Sequence, residues 1–166
     1  MQIYIDWTGG YNLESIKDLT SGEDYGLYQV YGAHPIYGAD TLLYIGKASK
    51  QTLAKRVLQG DRWICNQDSE NIKVYVGHFG GNQPISVDAW EEQIDLAEKL
   101  LIYTHKPALN SSNVSSVPDL PIEMHVFNWG DFRELLPEVS AFRYLAEDDK
   151  HFSTFESFNM GNNGDE

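Results

Sequence analysis

In several stretches of the chain hydrophobic and polar residues alternate, and this two-residue period is typical of β-strands. Residues 72–79 show the alternation most clearly, whereas residues 26–31 and 41–46 are rich in β-branched and aromatic residues. Turn-forming residues separate these last two runs, so we predict an antiparallel hairpin with residues 72–79 as the third strand of its sheet. Other strands are expected at residues 2–6, followed by a turn at residues 7–10, and at residues 121–127.

Elsewhere apolar residues recur at steps of three and four, which predicts helices. The longest is expected over residues 87–104, with Ser86 as its N-terminal cap and Pro107 beyond its end. Glu98 falls at the edge of the apolar stripe of this helix. Three polar residues are placed further outward: Glu92, Asp95 and Lys99. Shorter helices are predicted at residues 13–19, 50–59 (with Ser49 as cap), 62–68 and 132–145.

A length of 166 residues suffices for one well-buried domain, which we expect over residues 1–145. Residues 146–166 are acidic and rich in Gly and Asn, which predicts a flexible tail. The single cysteine, Cys65, excludes an internal disulfide framework and a cysteine zinc cage. No apolar run approaches the ~20 residues that span a bilayer, and the start does not resemble a secretory signal. We therefore expect a cytoplasmic protein without membrane contact.

The charge is unevenly distributed along the chain. The formal net charge is −13, and an acidic protein repels a phosphate backbone at long range. Between Thr41 and Cys65, however, five basic residues stand against one acid, a local balance of +4. The remaining seven basic and twenty-four acidic residues give −17. A basic segment therefore lies within an otherwise acidic chain.

Two tripeptides carry the candidate chemistry: Gly26-Leu27-Tyr28 on the first strand of the predicted hairpin, and Tyr44-Ile45-Gly46 on the second. In such a hairpin the two phenols would lie close together, beside backbone that is exposed because glycine has no side chain. Arg56 follows in the next predicted helix, Glu98 lies in the longest helix, and Asn110 comes beyond its end. These five elements, in this order, resemble the GIY-YIG nuclease superfamily.

The resemblance covers roughly residues 24–110, and Tyr44-Ile45-Gly46-Lys47-Ala48 is especially similar to the N-terminal nuclease domain of the bacterial excision-repair incision subunit. It implies an α+β fold in which a small central antiparallel sheet of about three strands is flanked by helices, with elaborations at both termini. It also implies a metal-dependent endonuclease that hydrolyses DNA phosphodiester bonds.

The resemblance implies a role for each of six residues. Tyr28 would act as general base or orient the attacking water, Tyr44 would hydrogen-bond the phosphate or the nucleophile, Lys47 would supply positive charge near Tyr28, Arg56 would grip the phosphate, Glu98 would hold one Mg²⁺ or Mn²⁺, and Asn110 would brace the site. These residue types suit the reaction, since hydrolysis needs a positioned water, a proton acceptor and positive charge against the phosphate oxygens.

Some features depart from the family or favour another function. Many relatives carry a His or Tyr where this chain has Gly60. Either Arg62 or a residue from the loop would substitute for it, or the rate would be lower. The five histidines show no spacing of metal ligands. The alternative to an endonuclease is a catalytically weak or inactive member of the fold that acts as a binding module. Its partner would be a protein or a nucleic acid, and its contact surface would be the acidic one. Net charge and Gly60 favour this alternative, whereas the complete set of motif residues favours the enzyme.

Overall fold

The computed structural model describes residues 1–19, 25–59, 71–80 and 86–145. The predicted helical segment at residues 62–68, the position Gly60 and the predicted tail at residues 146–166 lie outside the described residues. Along the described part of the chain, no helix combines the length and the apolar character needed to cross a membrane.

One six-stranded mixed sheet runs through the protein. Its strands are β1 (Gln2–Tyr11), β2 (Gly26–His34), β3 (Gly38–Ala48), β4 (Lys73–Gly80), β5 (His125–Gly130) and β6 (Glu138–Ser140). Their order in the sheet is β3-β2-β4-β1-β5-β6, and the β1–β5 pair is parallel whereas the other pairs are antiparallel. The α+β class is therefore confirmed, but the sheet is twice the expected size and is not purely antiparallel.

The helices of the described residues are α1 (Leu53–Leu58), α2 (Val87–His105) and α3 (Phe142–Leu145), with a 3₁₀ turn at Ser15–Asp18. The prediction for α2 is confirmed. The Ala89 N–H donates to the Ser86 side chain at 3.3 Å, so this cap satisfies one of the first backbone donors. The helix ends where Lys106 takes a left-handed conformation directly before Pro107.

The two faces of the sheet bury separate apolar clusters. Leu27, Tyr31 and Ile45 pack on one face with α2, and Ile94, Ala97 and Leu101 are the buried side of that helix. Tyr28, Val30 and Val74 pack on the opposite face with α1 and the 3₁₀ turn. Because successive strand residues point to opposite faces, Tyr28 lies on the α1 face although both of its neighbours lie on the α2 face.

The edge strand β3 is covered by the segment that follows α2. The Ala108 and Leu109 N–H groups donate to the carbonyl oxygens of Leu42 and Leu43 at 3.1 and 2.8 Å. The exposed edge of a sheet is a template for unwanted pairing, and this segment closes it. The same contacts place the residue after Leu109 beside the middle of β3.

Three predictions for residues 7–59 are wrong in their boundaries. The residues expected to form a turn, 7–10, continue β1, because residues 7–9 pair with β4 and pairing resumes at Tyr11 after a shift of register at Gly10. The helix expected over residues 50–59 covers only Leu53–Leu58, and its cap is Thr52 rather than Ser49. Of the helix expected over residues 13–19, only the 3₁₀ turn forms.

The prediction for residues 121–145 is also wrong in part. The strand lies further along, at His125–Gly130, and the single helix expected over residues 132–145 is replaced by β6 and the short α3. Pro137 has no N–H to continue a helix, and its carbonyl instead accepts from the Asn128 N–H at 2.8 Å. Val139 is buried in β6, so pairing with β5 overrides the helical spacing.

His105 joins the end of α2 to the loop before β6. Its Nε2 accepts from the Leu136 N–H at 2.8 Å, and its Nδ1 lies 2.9 Å from the Leu101 carbonyl oxygen. A ring that accepts at Nε2 is neutral and donates at Nδ1. Burial lowers the pKa of His105, although the bond to Leu101 acts in the opposite direction.

We expect the free energy of unfolding to fall as the pH drops through about 6.5, the ordinary pKa of histidine, because the unfolded chain then binds a proton that folded His105 resists. The His105→Gln variant should lose about 1 kcal/mol at neutral pH and show a flatter pH dependence below it. Urea titrations of both proteins across this range measure the difference. Parallel pH curves for the two proteins would contradict the prediction.

Candidate active site

A cleft of about 770 Å³ lies beside β3 and is lined by residues of both α1 and α2. All six residues singled out from the sequence line it: Tyr28 from β2, Tyr44 and Lys47 from β3, Arg56 from α1, Glu98 from α2, and Asn110 from the loop after α2. Residues that are distant in sequence therefore meet in one place. The fold brings the whole predicted set together.

The two phenols pack over a glycine. Tyr28 is 1% exposed, and its ring stacks on that of Tyr44 with centroids 6.0 Å apart and planes at 27°. The β2–β3 register places Tyr28 opposite Gly46. A Cβ at position 46 would lie 2.6 Å from the Tyr28 hydroxyl oxygen and 2.6 Å from the Tyr44 ring, which is far closer than atoms approach in proteins. The absence of a side chain at Gly46 is what makes room for both rings.

Gly26 has a similar role on the other side of β2. A Cβ there would lie 2.2 Å from the Gly77 carbonyl oxygen, which is rigid backbone of β4. Steric constraints therefore explain why each of the two tripeptides contains a glycine. Gly26 lets β2 approach β4, and Gly46 lets the phenols lie against β3.

Burial raises the pKa of Tyr28 well above its usual range, and the nearby Tyr44 raises it further. The charge of Arg56 and a hydrogen bond from it act in the opposite direction but do not outweigh burial. The Tyr28 phenol is therefore protonated at neutral pH and lies within hydrogen-bonding reach of a guanidinium.

Lys47 and Glu98 belong to a small charge network between β3 and α2. Lys47 Nζ forms an ion pair with the Asp95 carboxylate and lies 3.4 Å from Glu98 Oε2. Lys99 Nζ binds the second Asp95 oxygen at 2.6 Å. Burial alone would lower the pKa of Lys47, but the hydrogen bond to Asp95 and the two carboxylate charges raise it, so Lys47 is firmly charged.

Asp95 is a site residue that sequence reasoning missed. The helical pattern placed Asp95 and Lys99 outward, but the ammonium of Lys47 reaches across from β3 to Asp95. Burial tends to raise the pKa of Asp95, and the two lysines more than offset this and lower it. The signal in the sequence was spacing, since Asp95 lies three positions before Glu98 and therefore on nearly the same side of the helix.

Burial is the main influence on the charge state of Glu98. Its side chain is 16% exposed and lines the cleft. Burial raises the pKa of Glu98 and Asp95 acts in the same direction, whereas the charges of Lys47 and Arg56 lower it without restoring its ordinary value. A further positive charge beside this carboxylate, such as a metal ion, would favour its charged form.

The donor set suits a hard divalent ion. Carboxylate oxygen is the ligand type that Mg²⁺ and Mn²⁺ prefer, and these ions bind proteins through one or two carboxylates while keeping several waters. Among the described residues no three His, Cys, Asp or Glu side chains form a ready-made cage. Glu98 would therefore be the protein ligand of an ion that takes its other oxygens from water and from a bound phosphate.

Asn110 is committed to the backbone of β3. Its Oδ1 accepts from the Ile45 N–H at 3.0 Å, and its Nδ2 donates to the Ile45 carbonyl at 2.9 Å. The amide pairs with the strand as a neighbouring strand would. It fixes the central residue of Tyr44-Ile45-Gly46, so Asn110 acts on the position of the phenol and the glycine.

The rim of the cleft adds polar residues that sequence reasoning did not assign to a site. They are Ser49, Lys50, Gln51, Gln59, Ser111, Ser112 and Asn113. The sequence placed the first four on a helix or its cap and the last three in a surface loop. Three cations, Lys47, Lys50 and Arg56, and one carboxylate, Glu98, line the cleft. It is thus basic on a chain whose net charge is −13.

Comparison of the chain with known protein families, with curated proteins and with solved structures finds no match. What the cleft does has to be inferred from its own residues.

We expect Gly46→Ala to lower the free energy of unfolding by about 1–3 kcal/mol, because the methyl group overpacks a site where the Tyr28 ring is buried. The matched control is Gly80→Ala on β4, where a Cβ would lie 3.8 Å from Tyr4, an ordinary contact. Urea unfolding measures stability, and near-ultraviolet circular dichroism reports the tyrosine environment. Equal stabilities of the two variants would rule out the steric role of Gly46.

Proposed function

We propose that the protein is a metal-dependent endonuclease that hydrolyses DNA phosphodiester bonds in this cleft, with a site of the GIY-YIG type. One observation carries the proposal. One basic cleft holds two stacked phenols, a guanidinium and a largely buried carboxylate. These groups come from four separate elements, β2, β3, α1 and α2.

The cleft offers each group that phosphodiester hydrolysis requires. Negative charge develops on the phosphate oxygens in the transition state, and fixed positive groups stabilise it best in a site that partly excludes water. Arg56 can bind two phosphate oxygens at once through its planar fork. Lys47, held by Asp95, adds a second fixed charge beside Glu98.

Glu98 would hold one Mg²⁺ or Mn²⁺ in this proposal. When bound, such an ion supplies positive charge against the phosphate oxygens and makes water a better nucleophile. Lys47 and Arg56 supply part of the same charge from the protein side, which is why a single carboxylate ligand is enough here.

The raised pKa of Tyr28 bears on its role. A phenol that stays protonated at neutral pH orients the attacking water by hydrogen bonding, and it accepts the proton of that water only if nearby positive charge lowers its pKa. Arg56 already acts in that direction. Tyr44 is half-buried at the same place and is assigned to the phosphate.

We expect Glu98→Gln to reduce metal-dependent cleavage at least about a hundredfold, because the substitution removes the metal ligand while preserving shape. Glu92→Gln, an exposed residue on the same helix, is the control and should cleave at the normal rate. Nicking of a supercoiled plasmid with Mg²⁺, Mn²⁺ or chelator measures activity, and circular dichroism measures folding. Full activity of a folded Glu98→Gln variant would refute the ligand assignment, and no cleavage by the unaltered protein with any metal would favour a binding module instead.

We also expect Arg56→Lys to lower kcat about tenfold to a hundredfold, since Lys keeps the charge but cannot bind two oxygens in a plane. The control is Lys55→Gln, which removes a charge from the adjacent residue outside the cleft lining. Single-turnover cleavage of a labelled oligonucleotide separates the chemical step from binding. If the lysine variant kept normal kcat, a simple point charge would suffice at this position.

A further inference from the structure

Outside the cleft lining, four of the seven described lysines and arginines are paired with carboxylates of the same chain. The pairs are Lys17 with Glu14, Lys73 and Arg133 with Asp40, and Lys99 with Asp95. Lys106 donates to the Val114 carbonyl at 2.7 Å, and the remaining two cations, Lys55 and Arg143, form no ion pair among the described residues. The four paired cations add little attraction for a polyanion.

The cleft concentrates positive charge in one place. Within the described ranges, Lys50 and Arg56 form no ion pair with a carboxylate, and both line the cleft together with Lys47, which is paired with Asp95 and Glu98. These three cations lie within ten consecutive residues and face one space. They can contact at most about three phosphates, one for each charge, and Lys47 contributes least because its two carboxylate partners offset part of its charge.

The remainder of the protein opposes a larger contact. The chain has 25 acidic and 12 basic residues, so the residues outside the cleft lining carry a strongly negative net charge in sum. Double-stranded DNA carries one charge per about 1.7 Å of its axis and is stiff. A duplex laid across the cleft would bring many phosphates within the ~10 Å over which surface charges act. A single strand can bend so that only a few phosphates approach the protein.

The rim carries hydrogen-bonding groups without charge. Asn113 has a left-handed backbone conformation, and the Lys106–Val114 bond closes the loop that presents Ser111, Ser112 and Asn113. The Asn110 side chain fixes the same loop to β3. Neutral amides and hydroxyls held in place suit sugars and the edges of unpaired bases, which a single strand exposes and a duplex does not.

We propose that the cleft takes an unpaired DNA strand, such as a flap, a loop or a frayed end, and engages about three of its phosphates, rather than a continuous duplex. The inference rests on the proposed function for the reaction, but its evidence is the distribution of charge and of neutral polar groups around the cleft. It narrows the substrate from DNA in general to DNA in which the scissile strand can leave the helix.

Fluorescence anisotropy with the Glu98→Gln variant tests binding without cleavage. The probes are fluorescein-labelled single strands of about 6 and about 30 nucleotides and a duplex of about 30 base pairs. We expect the two single strands to bind within about fivefold of each other, and the duplex to bind at least about tenfold more weakly. The logarithm of affinity should fall with the logarithm of salt concentration with a slope of about −2, which corresponds to three phosphates of a single strand.

A matched pair of variants locates the contact. In the same background, Lys50→Gln should weaken single-strand binding several-fold and reduce the magnitude of the salt slope by about 0.7, which is one phosphate contact. Arg143→Gln removes an exposed charge from α3, outside the cleft lining, and should change neither. Equal losses in both variants would show that the attraction is not local to the cleft.

Other results would overturn the inference. Duplex binding as tight as single-strand binding, a salt slope of about −5 or steeper, or no binding of the short strand would each do so. The outcome is separable from the proposed function. If the unaltered protein cleaved duplex and single strand at equal rates, the proposed nuclease activity would stand and the proposed substrate class would be rejected. If the unaltered protein bound the short strand but did not cleave it, the substrate class would stand and the nuclease activity would be rejected.

Discussion

The register of the β2–β3 ladder is the constraint on which the candidate site depends. It sets Tyr28 opposite Gly46, so the phenol lies over the one residue that leaves space for it. A shift by one residue would turn Tyr28 to the α2 face of the sheet and bring Leu27 or Gln29 to the cleft. The pairing of Asn110 with both backbone groups of Ile45 holds β3 at this register from its other edge.

The local elements of the fold were largely predictable, and the non-local ones were not. The hairpin, β4 and α2 follow from alternation, helical periodicity and the Ser86 cap, which are all properties of neighbouring residues. β1 pairs with β5 across more than a hundred residues, and its pairing with β4 carries it through a Thr-Gly-Gly stretch that resembles a turn. β6 exists because β5 supplies a partner, so residues 132–145 cannot be read as a helix from their own spacing alone.

The site shows the same division. Six residues could be chosen from the sequence because their order along the chain resembles a known motif, and the structure brings them to one cleft. Asp95 could not be chosen from the sequence. A helical projection shows on which side of the helix Asp95 lies, but it does not show that Lys47 reaches it from β3. The loop at residues 111–113 is placed by the Asn110–Ile45 contacts, which no local pattern reveals.

The electrostatics of the cleft explain how an acidic chain could hold the proposed phosphate. Charges on the open surface are screened over about 10 Å, so a net charge of −13 acts mainly on a ligand that extends over that surface. Inside the cleft, burial reduces the screening of charges by water, so each interaction acts more strongly there. The same loss of water raises the pKa values of Tyr28 and Glu98. The ion pair with Asp95 keeps Lys47 charged, but the carboxylate also offsets part of the attraction of Lys47 for an anion. Arg56 and Lys50 therefore attract an anion more strongly. The charges in the cleft and the overall charge of the chain thus act at different distances. A ligand small enough to stay within the cleft is attracted by the cations that line it and is little affected by the net charge.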